Sequence, residues 1–103
     1  MPVIQSPLRV IAYDSISIPA SSTRLTLANV RGTSERFMAE KVIITVETAQ
    51  IRWRDDGTDP TSSEGHLANV GAVITLDNRE RIESFRAIRT GSTSATLRVS
   101  YLA

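Results

Sequence analysis

The chain has 103 residues, 41% hydrophobic and 22% charged, and its 12 basic and 11 acidic side chains leave a formal net charge of +1. That length holds one domain with one core, and the near-balance of charge excludes the broad basic surface that draws nucleic acid. With no cysteine, disulfides and thiolate metal sites are excluded, and no apolar run approaches the roughly 20 residues that span a bilayer.

The N-terminal MPVIQSPLRV lacks the charged start and long apolar stretch of a signal peptide. Residues 1–7, with Pro2 and Pro7, read either as an extended arm that adds a strand to a neighbour or as a frayed terminus. Beyond them, apolar residues recur at every second position and β-branched residues are dense, which is the pattern of strands. Strands are expected at Leu8–Tyr13, Ser15–Ile18, Arg24–Ala28, Lys41–Glu47, Ala49–Arg54, Ala72–Asp77, Glu83–Arg89 and Ala95–Tyr101.

The last of these is the clearest, with Ala95, Leu97, Val99 and Tyr101 on one face and Thr96, Arg98 and Ser100 on the other. In Arg24–Ala28, Leu25 and Leu27 alternate with Arg24 and Thr26 in the same way. Thr33–Glu40 has room for one helical turn, with Ser34 as its cap. Near Thr48 the phase slips: Val42, Ile44 and Val46 are even-numbered, but Ala49, Ile51 and Trp53 are odd. Such a slip demands a bulge, a bend, or a strand that crosses between sheets.

Turn residues at Pro19–Ser22, Arg31–Ser34, Asp55–Gly65, Asp77–Asn78 and Thr90–Thr93 punctuate the strands. The fold class is therefore all-β: a single-domain β-sandwich over residues 1–103, of jelly-roll or Greek-key type.

Two groups of residues are candidates for function. One is the contact loop of Asp55, Asp56, Asp59, Glu64 and His66. Its order, DDGTDP, misses the spacing of a calcium loop, and the simplest reading is a polar hairpin loop in which Gly57 and Pro60 set the turns. His66, the lone histidine, has no nucleophile elbow to serve among the twelve serines, so no catalytic residue, metal or cofactor is assigned and the protein is not read as an enzyme.

The other group is a set of candidate interface residues: Arg52 and Arg54 beside Trp53, and Arg79, Arg81, Phe85, Arg86 and Arg89 in NRERIESFRAIRT. Eleven of the twelve basic residues are arginine. That bias has a compositional explanation in GC-rich coding, but arginine is also the cation that protein interfaces favour. Glu80 and Glu83 lie among these arginines, and the plain alternative is a salt-bridged solvent face.

From Val46 to Leu102 the chain resembles small β proteins from the structural gene clusters of tailed bacteriophages. The matching stretches are VETAQIRWRDDGTDPTSSEGH, the G-x-x-I-x-L strand from Gly71 to Leu76, Phe85–Arg89 as FRAIR, and the A-T-L-x-V-x-Y ending from Ala95 to Tyr101. The resemblance implies a virion structural protein, with capsid cement or decoration the leading role and head-fibre or neck and tail fittings behind it. It further implies a location in the virion, assembly in the host cytoplasm, and the major capsid protein or other virion proteins as partners. A capsid lattice also favours a homo-oligomer, with a trimer expected. The rival reading is a carbohydrate- or cell-surface-binding module in which Trp53, Asp55, Asp56, Asp59 and His66 line the site.

Overall fold

The computed structural model describes residues 8–31 and 38–103. The expected arm at 1–7 and most of the expected helical turn at Thr33–Glu40 lie outside them. Two antiparallel sheets face each other in an all-β sandwich. The first is built from β1 (Val10–Ile18), β2 (Lys41–Glu47), β5 (Val73–Leu76) and β7 (Ala95–Leu102), in the order β1-β7-β2-β5. The second is β4-β3-β6, from β3 (Ile51–Arg54), β4 (His66–Ala68) and β6 (Arg86–Arg89). No neighbours in the larger sheet are consecutive in the chain, so it closes only when both termini of the described fold are in place.

Period-two burial accounts for the larger sheet. Val42, Ile44 and Val46 of β2 and Ala95, Leu97, Val99 and Tyr101 of β7 are all essentially fully buried, as are Ile18 and Leu76 at its two edges. Burying a side chain of this size stabilises by roughly 1.5–3 kcal/mol, and the registers Ile16–Leu97–Val46 and Ala12–Tyr101–Val42–Leu76 stack these side chains into inner rows.

At Thr48 the chain does cross between sheets. This β-branched residue has φ +77°, and Ala49 N–H donates to the Glu47 carbonyl at 2.9 Å, closing a tight reversal. The odd-numbered Ile51 thereby enters the same core from the opposite sheet, which resolves the slip of phase.

Three expected strands change. Leu8–Tyr13 and Ser15–Ile18 form one strand, because Asp14 turns inward to polar partners instead of breaking it. Arg24–Ala28 is not a strand: Thr23 makes a lone bridge to Ala87, and a short helix, α1 (Leu27–Arg31), follows. Leu25 and Val30 are the buried residues there, and the Thr26 carbonyl accepts from Asn29 and Val30 N–H.

Most of the first half of Glu83–Arg89 is the end of a second helix, α2 (Arg79–Ser84). Asn78 caps it by accepting from Arg81 N–H at 2.9 Å, the local bond that favours Asn at helix starts. Ile82 and Phe85, three residues apart, both enter the core, so α2 closes one end of the sandwich. Phe85 is 0% exposed and is therefore a core residue, which corrects its place among the interface candidates.

Candidate functional site

The loop of residues 55–65 leaves β3 at the end closed by α2 and returns as β4. It folds back against the outer face of the smaller sheet. Alternation along β3 turns Ile51 and Trp53 inward and Arg52 and Arg54 outward; across the register Arg52 lies between Leu67 and Ile88, and Arg54 beside Arg86.

These outward arginines hold the loop. Arg52 donates through Nη1 to the Gly65 carbonyl at 3.0 Å and through Nε to the Ser62 carbonyl at 3.3 Å. Arg54 grips Asp56 with two guanidinium nitrogens, Nε at 3.1 Å. That pairing, helped by Thr58 N–H, holds the Asp56 carboxyl below its ordinary range and raises Arg54 above its own. Arg86 lies 3.7 Å from Asp59, whose carboxylate also accepts from Ser22 Oγ at 2.8 Å. Arg54 and Arg86 face each other as like charges across the ladder, and the two aspartates relieve that repulsion.

Arg81 ties the loop to α2 and to the end of β5. Its Nε donates to Asp55 at 2.6 Å and its Nη1 to Asp77, one helical turn earlier, at 3.1 Å. The hydrogen bond from Arg81 to Asp55 is the main cause that raises the Arg81 pKa. Gly57 N–H donates to the Ser84 carbonyl at 3.2 Å. Pro60 is buried under this loop. Gly65, at φ +132°, passes so close that a Cβ would sit 3.1 Å from the Trp53 carbonyl and 3.2 Å from Pro60 Cβ; only glycine suits that crossing.

The two candidate groups are thus largely partners of each other. Arg79 pairs with Glu40 at 3.5 Å, and Arg89 donates to Ser94 Oγ at 3.2 Å, both outside the loop. Glu64 makes no ion pair among the described residues. With His66, Gly65, Arg54, Asp55 and Asp56 it lines a cleft of about 310 Å³. Among the described residues no three His, Asp or Glu side chains are placed to share a metal ion.

His66 lies across from Trp53 in the ladder, with ring centroids 4.7 Å apart; on its other flank Trp53 stacks on Phe85 at 5.7 Å and 28°. The indole is flanked by aromatic neighbours on both sides, rather than projecting from a loop rim.

A second polar cluster has no counterpart among the residues singled out from the sequence. Asp14 accepts from Thr26 Oγ1 at 2.5 Å and from Asn29 Nδ2 at 3.1 Å, and Thr26 N–H donates to Tyr101 Oη at 3.3 Å. Burial first, then the nearby Asp14 carboxylate, push the Tyr101 phenol up to about 12. The cluster ties α1 to β1 and β7. Its one sequence signal is an acid at an inward position between Ala12 and Ile16.

No family model matches this sequence, and neither does any curated protein or solved structure.

Proposed function

We propose that the protein is a structural component of a tailed-phage particle, a cement or decoration protein that attaches to the assembled head and works by adhesion. The stretches that carry the resemblance supply the end of β2 and all of β3 through β7, so the likeness covers the fold's frame.

The observation that supports adhesion is the outer face of the four-stranded sheet. One row across it reads Tyr13, Ser100, Ile43, Thr75 and the next Ser15, Arg98, Thr45, Val73. Tyr13 is 59% exposed and Ile43 36%. Arg98, its pKa raised chiefly by Glu47 at 3.4 Å, sits at the centre. A flat field of small polar side chains around an exposed tyrosine and an arginine has the composition of a contact surface. Binding there stabilises a head only as far as the assembled lattice binds better than its free subunits, and clustering adds avidity.

Purified protein is expected to co-sediment with empty heads and not with a matched tail preparation, and Tyr13→Asp is expected to weaken head binding at least about tenfold, or ~1.4 kcal/mol. Binding to tails alone, or to neither, overturns the proposal.

A further inference from the structure

We propose that the free edge of β5 is a self-association surface, and that two copies of the chain join there, antiparallel, to make one continuous eight-stranded sheet. This goes beyond the head-binding reading and does not depend on it.

The sandwich has two flanks, and they differ. On one, β6 is covered by the segment after β1: Thr23 N–H donates to the Ala87 carbonyl at 2.9 Å, Ala87 N–H to the Thr23 carbonyl at 3.0 Å, and Arg89 N–H to the Pro19 carbonyl at 3.1 Å. The β1 edge beside it carries a register shift between Val10 and Ala12 and the inward-pointing Asp14. Bulges, inward charges and covering chain are the usual devices that keep an edge from pairing.

The opposite flank has none of them. Among the described residues no strand lies beyond β5 or β4. The chain from His66 to Leu76, HLANVGAVITL, contains no acid, lysine, arginine or proline. Leu67, Val70 and Val73 stand 49%, 58% and 63% exposed along it. An uncharged, apolar edge of this kind is a template for another strand.

The occupant is argued from self-complementarity. Ile74 and Leu76 face the core while Val73 and Thr75 face out, so a partner strand must keep that alternation. An antiparallel pair centred on Ile74 sets Val73 against Thr75 of the partner subunit, a pair of β-branched side chains. It also keeps Asp77 beyond the pairing, so no like charges meet. The same two-fold axis brings the two β4 edges together in the second layer, with Leu67 and Val70 beside them. A four-residue strand pair alone falls short of the roughly 800 Å² per partner of a standard interface, so these apolar residues are needed. A two-fold pair therefore replaces the three-fold assembly expected from a capsid lattice: a ring needs two different free edges, and the other flank is closed.

Sedimentation equilibrium of the full chain, alone in solution at about 100 µM, is the test, because a dissociation constant near 10 µM then leaves most of the protein paired. The expected mass is twice the 11.3 kDa of the chain. Val73→Lys combined with Thr75→Lys is expected to weaken the dimer at least about a hundredfold, with an unchanged circular dichroism spectrum, since both positions are exposed. Thr75→Lys alone serves if the pair does not fold. Tyr13→Lys, on the opposite edge strand, and removal of residues 1–7 are expected to leave the dimer intact. A monomeric wild type, a dimer untouched by the lysines, or one lost with the arm or with Tyr13 overturns the proposal. So does a wild-type monomer whose head binding is lost with Val73→Lys, which would make the occupant a strand of a head protein.

Discussion

The four-stranded sheet and the 55–65 loop lie in one small molecule but are held by different forces. In the sheet, every inner row from Ala12 to Leu76 and from Ile16 to Val46 is apolar except at Asp14, and cohesion comes from area removed from water. Under the loop, four arginines hold three aspartates and two carbonyl oxygens. Those bonds form at the surface, where water competes for both partners. The contrast teaches that this loop is ordered by geometry more than by energy, and that disturbing the sheet should cost far more than disturbing the loop.

The sharpest challenge to that contrast is a cavity in the sheet. Ile44→Ala, at a fully buried central position, is expected to destabilise by about 2–5 kcal/mol, read as a lower midpoint in chemical denaturation. If it costs no more than a loop variant, the core is not what holds the fold.

Next comes alkaline pH. Tyr101 has its phenol pKa raised from 10.0 to about 12. A raised folded value means that the stabilising difference is present below the unfolded pKa and is lost as pH climbs through the folded one. Stability should therefore fall between about pH 10 and 12, by roughly 2–3 kcal/mol at ~1.36 kcal/mol per unit. In Tyr101→Phe that slope should flatten, although the variant starts less stable for want of the Thr26 partner.

Within the loop, Gly65→Ala joins a disfavoured φ to a 3.1 Å approach to backbone and should cost about 1–3 kcal/mol. Arg52→Ala removes two bonds to loop carbonyls and should cost about 1 kcal/mol, seen as faster amide exchange confined to residues 61–65. The smallest effect belongs to Asp56→Asn. Its lowered pKa means a contribution present above the unfolded carboxylate value and lost as pH falls through the folded one, but the pair is exposed. The unfolding midpoint at pH 7 should not move, and only the acid sensitivity of the loop should disappear.

Particular residues show why some of this was legible from sequence and some not. β2 and β7 announce themselves because seven or eight residues of strict alternation admit one reading. The crossing at Thr48 was legible as well, since a parity slip in apolar positions has few physical solutions. α2 was not: Ile82 and Phe85 fit a strand pattern and a helical one equally over so short a span, and the Asn78 cap decided between them. Leu25 and Leu27 misled in the same way.

The candidate residues were chosen correctly by type but not by relation. That Arg52, Arg54, Arg81 and Arg86 would meet the acidic loop depends on pairings up to 27 residues apart in the chain, as for Arg86 and Asp59, and no local pattern encodes these. The Asp14, Thr26, Asn29 and Tyr101 cluster is harder still, spanning 75 residues between Thr26 and Tyr101.

The sequence by itself determined an all-β sandwich, the inward face of its long strands and the change of sheet at Thr48, because burial at period two is a local constraint that each strand states independently. Only the tertiary structure decided which arginine meets which aspartate, which flank is closed by Pro19–Thr23, and which is left open at β5. Those outcomes follow from strand order, and strand order is set by how distant segments compete for the same edges rather than by any one of them.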